Sequence, residues 1–463
     1  MIRGSIDDTI AAIATPAGEG GIGIVRLSGT DARAIAERIF IAKDGTKPTT
    51  FKTYTVHYGW VVDRAHDNKI IDEVIVSVMR CPRTYTKQDI VEINCHGGAV
   101  ALRSTLDVVL AAGARMAEPG EFTKRAFLNG RIDLAQAEAV LDVIRSKTES
   151  ALAASMQQLT GQVSKQIRII RDDLVQILVD LEAHIDFPED DIGAGDSTRL
   201  GPALERVRVM LGSLLETWRY GRMLREGISA VICGRPNVGK SSLLNAILKQ
   251  ERSIVTPIAG TTRDTIEEII HIRGIPVRFV DTAGIIEPRD LIERKAVQRA
   301  RVCIKQADLV LLVFDGTKRL TRDDTMFIRR LRRKKVLAVI NKIDLRQRVE
   351  KELISRAFDH VIVISAKQSK NIEVLEDAIA DLIWHGQLAQ PESIVVTNAR
   401  HVERLRVSQK YIAETLASLD NGLPSEFVSQ GIKDALASLD EITGEKFSTD
   451  LLERIFSEFC IGK

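Results

Sequence analysis

The spacing of hydrophobic and polar residues changes twice along the chain. Up to about residue 118, short β-rich runs at 22–27, 74–79 and 90–93 alternate with turn residues, and a helical stretch lies near 102–112. This mixture predicts an α/β or α+β domain.

A helical pattern begins at Leu134. Apolar residues at 174, 177, 178, 181 and 185 recur every three or four positions, which predicts one face of a long helix that ends before Phe187. From about Gly227, strands alternate with helices, which is typical of a parallel sheet. The helical pattern resumes near Leu382 and continues to the last residue.

Composition narrows the class of protein. At 463 residues the chain is too long for one core, and 65 basic against 63 acidic residues leave a net charge of only +2, so any nucleic acid must meet a local basic patch. The five cysteines show no CxxC spacing, which argues against a zinc site or disulfide framework. Neither a signal peptide nor a run of about 18 apolar residues occurs, so we expect a cytoplasmic protein without a membrane span.

The strongest chemical motif is a GxxxxGKS loop at residues 234–241, which lies between an apolar run at 228–233 and a helical pattern at 243–248. Glycines in such a loop let backbone N–H groups surround phosphate oxygens at the helix N-terminus. Lys240 would neutralise the β- and γ-phosphates, and the Ser241 hydroxyl would bind magnesium.

Three further motifs follow in the order that GTPases use. Asp281-Thr-Ala-Gly284 ends one strand, and its aspartate would hold the magnesium shell through water. Asn341-Lys-Ile-Asp344 ends another strand, where Asp344 would accept the N–H donors of guanine that adenine lacks. Ser365-Ala-Lys367 would add a backbone contact to the base. The ligand predicted by these motifs is GTP.

These patterns together predict a multidomain protein, α/β plus all-α. The predicted segments are an N-terminal α/β domain at 1–118, a helical domain in two parts at 119–226 and 383–463, and an inserted Ras-like P-loop GTPase domain at 227–382 with a parallel-rich sheet and helices on both faces.

The chain resembles the MnmE (TrmE) family of tRNA modification GTPases. The similar segments are residues 234–242, 254–264 and 281–284, the block at 119–138 that begins PGEFTKRAFLNGR, and the final FCIGK at 459–463. GTPase motifs occur in many families, whereas the 119–138 block and the final CIGK are specific, so the resemblance depends on those two segments.

The resemblance implies a GTPase activated by potassium when two GTPase domains meet. Position 285, where Ras-like proteins have a water-orienting glutamine, is isoleucine, so another group must act there. The family pattern implies Glu293 for that role, with Thr262 joining Ser241 at magnesium. The implied potassium ligands are Asn237, Thr256, Ile258 and Thr261. Read from the residues alone, Asn237 could be a turn former and Glu293 a surface carboxylate.

The complete set of predicted GTP-binding positions combines the motifs and the resemblance. These are Asn237, Val238, Gly239, Lys240, Ser241, Ser242, Thr256, Pro257, Ile258, Ala259, Gly260, Thr261, Thr262, Asp281, Thr282, Ala283, Gly284, Asn341, Lys342, Asp344, Ser365, Ala366 and Lys367.

The resemblance also implies a site for a tetrahydrofolate derivative, 5-formyl- or methylenetetrahydrofolate, at Arg26, Glu92 and Arg131, with Lys463 approaching it across a homodimer. Some relatives have lysine where this chain has Arg131. Cys460 would be the functional cysteine, although a free cysteine is more often a small buried apolar residue. The alternative for the three charged residues is an ordinary surface or domain-boundary role.

The function implied is GTP hydrolysis coupled to carboxymethylaminomethyl-type modification of the wobble uridine of certain tRNAs, together with the flavin-dependent partner MnmG (GidA). Two alternatives stay open: a regulatory or ribosome-assembly GTPase without group transfer, and a folate-dependent one-carbon enzyme that merely carries a GTPase regulator. A basic run at 329–335 could touch tRNA phosphates, but a solvated helix face is the favoured interpretation.

Overall fold

The computed structural model describes residues 8–186, 197–250, 267–281, 303–384 and 394–463. Contacts divide the described chain into two compact units. The first unit lies within Met1–Ile144, Gln158–Leu211 and Glu403–Lys463, and the second within Arg145–Gln157 and Gly212–Val402. The domain boundaries given above remain predictions.

The structure has helices α1 (Ala32–Ile39), α2 (Ala99–Ala111), α3 (Glu121–Leu128), α4 (Leu134–Arg145), α5 (Glu149–Leu159), α6 (Gln162–Asp186), α7 (Ser197–Glu216), α8 (Trp218–Glu226), α9 (Lys240–Gln250), α10 (Arg322–Leu331), α11 (Lys351–Ser355), α12 (Ile372–Trp384), α13 (Ala399–Asp420), α14 (Ser425–Thr443) and α15 (Thr449–Ser457). Its strands are β1 (Ile10–Ile13), β2 (Gly20–Ser28), β3 (Phe40–Ala42), β4 (Thr55–Asp63), β5 (Lys69–Met79), β6 (Ile90–Gly97), β7 (Arg115–Met116), β8 (Ile228–Cys233), β9 (Glu267–Ile272), β10 (Ile275–Asp281), β11 (Leu309–Asp315), β12 (Val336–Asn341) and β13 (Val361–Val363). None of the helices within the described ranges is long and apolar enough to cross a membrane.

The amino-terminal part of the first unit is a seven-stranded sheet in the order β3-β4-β5-β6-β2-β1-β7. Its neighbouring strands are antiparallel, except that β1 and β7 are parallel. The predicted runs at 22–27, 74–79 and 90–93 lie in β2, β5 and β6, and the predicted helix at 102–112 corresponds to α2. These predictions are confirmed.

The two faces of this sheet differ in burial because successive side chains of a strand point to opposite faces. One face packs against α1 and α2, and it buries Val25, Val76 and Ile93 completely. On the other face, Tyr58 and Ile75 are paired across β4 and β5 and are 43% and 45% exposed. Around Tyr58 and Ile75 this second face, here called the open face, is therefore not covered by the residues that the structure describes.

The helical part of the first unit is centred on α6, which is 25 residues long and ends at Asp186, as the apolar spacing predicts. Leu174, Ile177 and Leu181 are buried along one face of this helix. Helix α14 packs along α6, and Arg171 donates to the Asp440 carboxylate at 2.8 Å. The repeat of three and four residues therefore identifies the helix and its buried face correctly.

The second unit contains a six-stranded sheet in the order β13-β12-β11-β8-β10-β9, in which only β9 is antiparallel to its neighbour. Helices α9 and α12 pack on one face, where Leu243 and Leu375 are fully buried. Helix α11 and the buried end of α10 pack on the other, through Ile354 and Leu331. The predicted parallel-rich sheet with helices on both faces is confirmed.

Candidate functional site

The predicted motifs of the second unit meet at the carboxyl ends of the parallel strands. Strand β8 lies between β10 and β11, and its end leads into the glycine loop and α9. Strand β10 ends at Asp281 and β12 at Asn341, and the Ser365-Ala-Lys367 segment follows β13. In an open α/β sheet, the ligand crevice lies at this edge, where the strand order reverses.

The glycine loop has a backbone that other residues would strain or block. Gly234 has φ +145°, and a Cβ atom there would lie 2.4 Å from the Val313 carbonyl oxygen. Gly239 has φ +99°, and its Cβ would lie 2.3 Å from the side-chain nitrogen of Asn341. Asn237 between them also has a positive φ, +62°. The loop therefore forms a close-fitting cradle whose backbone lies against the Val313 backbone and the Asn341 side chain.

Lys240 begins α9 and is buried, with 9% of its surface exposed. Its ammonium group donates to the carbonyl oxygens of Gly234 at 3.1 Å and Arg235 at 2.9 Å. Both acceptors belong to the loop itself, so the charge is held over the cradle where phosphate oxygens would lie. A cation fixed there, beside the N-terminus of a helix, fits a polyphosphate.

The guanine-recognition motif is tied to the glycine loop through its first two residues. Asn341 donates to the Val238 carbonyl at 2.9 Å, and its side-chain oxygen accepts from the backbone N–H of Ala366 at 3.0 Å. Lys342, with φ +69°, extends its ammonium group to the Asn237 carbonyl at 2.9 Å. Three separate segments are thus held in register before any ligand binds, which reduces the ordering cost of binding.

Asp344 carries the carboxylate that would read the base. The Ser365 hydroxyl donates to it at 2.6 Å and lowers the pKa of that carboxyl group, with smaller contributions from Lys367 and Lys342. An ionised carboxylate accepts hydrogen bonds only, so it matches the two N–H donors of guanine. Ser365 in turn accepts from the backbone N–H of Gln368 at 3.2 Å, which orients its hydroxyl.

Asp315 is a site residue that the motif search missed. It ends the apolar strand β11 and accepts from the Lys342 ammonium group at 2.7 Å. Burial alone raises the pKa of Asp315, but hydrogen bonds from Lys342 and Thr317 outweigh it, so the pKa is lowered. The ion pair with Asp315 fixes the position of the Lys342 side chain. The available signal was an aspartate that follows six buried apolar residues at the end of a parallel strand.

Part of the predicted site lies outside the described residues. These positions are Thr256, Pro257, Ile258, Ala259, Gly260, Thr261, Thr262, Thr282, Ala283, Gly284 and Glu293. Among the described magnesium candidates, Ser241 is exposed in the first turn of α9, next to Lys240. A hydroxyl oxygen beside a phosphate cradle suits a hard cation, so this residue fits a magnesium site completed by phosphate and water. The part of the chain that the structure describes has no group of three His, Cys, Asp or Glu that could hold a metal.

A second candidate site lies on the open face of the amino-terminal sheet. Arg26 of β2 and Glu92 of β6 are paired across the strands, and the guanidinium Nε donates to the carboxylate at 2.7 Å. The Arg26 guanidinium lies 5.8 Å from the centre of the Phe122 ring. It also donates to the Gly462 carbonyl at 3.4 Å, so the final CIGK segment reaches this site within one chain.

Arg131, the third predicted residue of this site, lies against the ring of Tyr85. Its guanidinium carbon is 4.7 Å from the centre of the Tyr85 ring, and the Tyr85 hydroxyl bonds to the Thr123 hydroxyl at 2.9 Å. Burial raises the pKa of the Tyr85 phenol, whereas Thr123 and then Arg131 and Arg26 act against that rise. The charges of both arginines therefore act on this one phenol group. Tyr85 and Phe122 were missed because an isolated aromatic residue in a sequence has no functional signature.

The final segment is tied to α3. The Lys463 carbonyl accepts from the backbone N–H of Phe122 at 3.1 Å, and the Cys460 carbonyl accepts from that of Gly120 at 3.4 Å. Phe459 is buried, whereas Cys460 is exposed. The alternative of a small buried apolar residue is therefore wrong for Cys460.

The second unit has a strand, a glycine loop with a buried lysine, and a helix in that order. Hydrogen bonds join this loop to the guanine-recognition motif. These features define a P-loop GTPase. Two family models match most of the chain. The MnmE helical domain matches residues 134–460, and the GTP-binding protein TrmE N-terminus matches residues 9–131. The chain belongs to the MnmE (TrmE) family of tRNA modification GTPases.

Close relatives agree with this assignment. The tRNA modification GTPase MnmE of Geobacillus thermodenitrificans is 46% identical over 459 residues, which cover 98% of this chain and 99% of the relative. The protein of the same name from Bacillus cytotoxicus is 45% identical over 459 residues, which cover 98% of this chain and 99% of that relative.

A solved structure of an Era variant from Aquifex aeolicus, with GDP.AlF4- bound, aligns with 40% of this chain and 66% of its own at 30% identity and a TM-score of 0.29.

Proposed function

We propose that this protein hydrolyses GTP to drive carboxymethylaminomethyl-type modification of the wobble uridine in certain tRNAs, together with the flavin-dependent partner MnmG (GidA). Family membership supports the choice of tRNA. The GTPase part of the proposal depends on the hydrogen bonds from Asn341 and Lys342 to the glycine loop. These bonds join the base-recognition motif to the phosphate-binding loop. The domain boundaries at residues 118, 226 and 382 belong to the same proposal.

Within this proposal the residues of the nucleotide site divide into binding and orienting roles. Lys240 neutralises the β- and γ-phosphates, and Asp344 selects guanine. Ser241 and Thr262 hold magnesium, which supplies charge neutralisation between the phosphates when it is bound. Glu293 orients the attacking water, a role for which Ile285 has no polar atom. Backbone N–H groups of the glycine loop hold the transferred phosphoryl group in place.

The proposal assigns potassium activation to Asn237, Thr256, Ile258 and Thr261. The position of Asn237 supports this assignment. Its side chain is exposed on the glycine loop, while its backbone carbonyl accepts a hydrogen bond from Lys342. An amide oxygen and loop oxygens suit a hard alkali cation. A cation at this position supplies positive charge of the kind that an arginine finger provides, which is worth about 10³- to 10⁵-fold in rate.

Steady-state GTP hydrolysis tests the potassium assignment. Wild-type protein should turn over GTP much faster in potassium chloride than in sodium chloride at equal ionic strength. The Asn237→Ala variant should lose that difference, whereas the matched control Asn245→Ala, at an exposed position on α9, should keep it. Equal wild-type rates in the two salts would reject potassium activation and leave GTP hydrolysis itself untouched.

The tetrahydrofolate derivative, 5-formyl- or methylenetetrahydrofolate, is proposed to bind at Arg26, Glu92, Arg131 and Lys463. The Glu92 carboxylate suits the amino-pyrimidine edge, and the guanidinium groups suit a carboxylate tail. The partly exposed Tyr85 ring beside Arg131 offers a flat surface for the pterin.

We also propose a homodimer formed through the open face of the amino-terminal sheet. On this face Tyr58 and Ile75 are paired across β4 and β5 and about half exposed, and Val56 on the same strand is 64% exposed. Such an apolar surface favours a protein partner. Arg26 and Glu92 point to the same face, so a partner chain would close over the folate site.

Cys460 is proposed to act in the modification reaction, and its exposure supports that role. In cells whose only copy carries Cys460→Ser, tRNA should lack the modified wobble uridine while the purified variant still hydrolyses GTP. Cys81→Ser is the matched control because Cys81 is also exposed. Normal nucleosides in the Cys460→Ser strain would remove this residue from the mechanism. Normal nucleosides in a deletion strain would favour a regulatory GTPase instead.

A further inference from the structure

The amino ends of the parallel strands in the second unit border two adjoining cavities. One has a volume of about 290 Å³ and lies between α8, the first residues of β8 and β11, and the end of α12. The other, of about 560 Å³, lies beside the start of β12 and residues 357–360. They adjoin at Lys335 and Leu382, which line both, and together they are here called the basal groove. Because β8 runs from this groove to the glycine loop, the groove and the GTP site lie at opposite ends of the sheet.

The first cavity combines an apolar floor with cationic walls. Ile228 and Leu309, the first residues of β8 and β11, form part of the floor. The side chain of Trp218 is half-buried on the wall. Arg219 and Arg222 follow it on α8 and are exposed. A flat aromatic surface beside fixed cations suits a planar group that is attached to an anion.

The electrostatics of this cavity favour an anion. Burial lowers the pKa of the Lys335 ammonium group, and the like charge of Arg219 lowers it further, whereas Asp308 opposes the shift. Asp308 is already engaged, since it accepts from the backbone N–H of Ser229 at 2.9 Å and lies 3.7 Å from Arg222. Two cations held near each other are stabilised when an anion binds between them.

The second cavity continues the positive charge. Arg332 and Lys334 line it, opposed by Asp359 and Asp381. Over the whole groove, five basic side chains face three carboxylates, so the lining is net cationic. The helix that was expected to carry the basic run ends at Leu331, so residues 332–335 lie beyond it. The interpretation of the run as one solvated helix face is therefore wrong for these residues.

The walls are held rigidly. A Cβ at Gly221 of α8 would lie 2.1 Å from the Val396 carbonyl oxygen, and one at Gly227 would lie 2.5 Å from that of Pro276. The Val396 N–H also donates to the Thr217 hydroxyl at 3.1 Å, just before α8 begins. These close approaches fix the backbone of α8 against its neighbours, so the positions from which Trp218 and the two arginines extend are set before a ligand binds.

We propose that the basal groove binds single-stranded RNA, with one base against Trp218 and the adjoining phosphates held by Arg219, Arg222 and Lys335. The inference rests on the proposed function, which makes tRNA the substrate. A small free anion would use the cations but not the indole, and an acidic peptide would use the indole only where an aromatic residue lies next to its carboxylates. A strand of nucleotides uses both cavities, because it alternates flat bases with phosphates along a continuous path.

Affinity for RNA tests the cationic wall. The full-length protein would be titrated with an unmodified tRNA transcript and, separately, with hexauridylate. Arg219→Glu should weaken binding of both by about tenfold, whereas Lys351→Glu, the same charge change at an exposed position of α11, should leave it unchanged. For Arg219→Ala, the slope of log affinity against log salt should fall by about 0.7, the value for one phosphate contact with a single strand. Equal affinities for Arg219→Glu and Lys351→Glu would overturn the proposal.

Tryptophan fluorescence tests the stacking surface. Hexauridylate should quench the emission of wild-type protein, and inorganic phosphate at the same charge concentration should not. The quenching should disappear in Trp218→Phe, while the affinity is retained because phenylalanine also stacks. Quenching that persists in Trp218→Phe would place the bound base at another tryptophan and overturn the assignment.

The two proposals fail separately. Binding of hexauridylate does not require any modification reaction, so it would still occur if the proposed function were wrong. Conversely, the wild-type strain could contain modified wobble uridine while Arg219→Glu bound RNA unchanged. That result would support the proposed function and reject the basal groove as an RNA-binding site. GTP turnover of each variant, measured in parallel, shows that the GTPase unit is folded.

Discussion

The GTP site and the Arg26–Glu92 site are built in opposite ways. In the GTP site, short contiguous motifs are joined mainly through backbone atoms: Lys240 donates to two loop carbonyls, and Asn341 and Lys342 donate to two more. In the amino-terminal site, side chains from distant parts of the chain meet on one sheet face, and Arg26 and Gly462 are 436 residues apart.

The difference teaches which kind of site can be altered residue by residue. A site held by backbone hydrogen bonds keeps its geometry when an exposed side chain changes, so a substitution there reports on ligand chemistry. A site made of side chains from several elements depends on the packing of those elements, so a substitution there changes both the ligand contacts and the neighbours. The predictions below test this contrast.

The largest effect is expected at Asp344 of the GTP site. Asp344→Asn removes an acceptor of two charge-assisted hydrogen bonds from guanine, each worth about 1.5–3 kcal/mol, so affinity for GTP should fall by about 10²- to 10⁴-fold. The new amide can donate to the C2 carbonyl of xanthine, so xanthosine triphosphate should bind better than GTP. Titration calorimetry with both nucleotides measures the change.

Asp323→Asn is the matched control for that experiment, since Asp323 is an exposed aspartate on α10 of the same unit. It should bind GTP as the wild-type protein does. If Asp344→Asn also bound GTP normally, the base would be read elsewhere. The GTP site would then lose the feature that separates it from an adenine-nucleotide site.

The meeting of the described GTP-site motifs could be predicted from the sequence because each motif carries its own local geometry. The strand, loop and helix around Lys240 are contiguous, and parallel strands bring their carboxyl ends to one edge, so the meeting of residues 234–241 with Asn341 follows from topology. Asp315 was not predicted, because its role depends on the position of Lys342, which is 27 residues away.

The amino-terminal site could be only partly predicted. The resemblance supplied Arg26, Glu92 and Arg131, but their association with Phe122 and Tyr85 depends on how α3 packs beside the sheet. No residue spacing encodes that packing, because the contacts join segments far apart in the chain. The approach of the final segment to Arg26 within one chain also follows only from the fold.

A smaller effect is expected at Arg26 of the amino-terminal site. Arg26→Ala removes one charge-assisted contact to the folate and leaves Glu92 without its 2.7 Å partner, so affinity for 5-formyltetrahydrofolate should fall by about 10- to 100-fold. Arg80→Ala, at an exposed position just after β5, is the matched control and should bind normally. Equal affinity in the two variants would show that the Arg26–Glu92 pair is only an ordinary surface ion pair.

The smallest effect concerns the ion pairs that position α3 beneath Arg26. Glu121 is 7% exposed and accepts from Arg115 at 2.7 Å and from Arg125 at 2.9 Å. Burial raises the pKa of the Glu121 carboxyl group, but the two arginines and the backbone N–H of Glu118 outweigh it, so the pKa lies below its ordinary value of 4.5. Asp8, which also pairs with both arginines, likewise has a lowered pKa.

The sign of the pH dependence follows from these directions. A carboxyl group with a lowered pKa in the folded state stabilises the fold fully above its ordinary pKa, and that stabilisation is lost as the pH falls below it. Glu121→Gln should reduce the free energy of unfolding at pH 7 by about 1.5 kcal/mol, the low end for a charge-assisted hydrogen bond, because the amide oxygen remains an acceptor. Urea unfolding of both proteins from pH 7 to pH 3 should show the difference narrowing below pH 4.5. A constant difference across that range would mean that the charge of Glu121 does not hold α3 in place, and that packing of Phe122 alone positions the ring beneath Arg26.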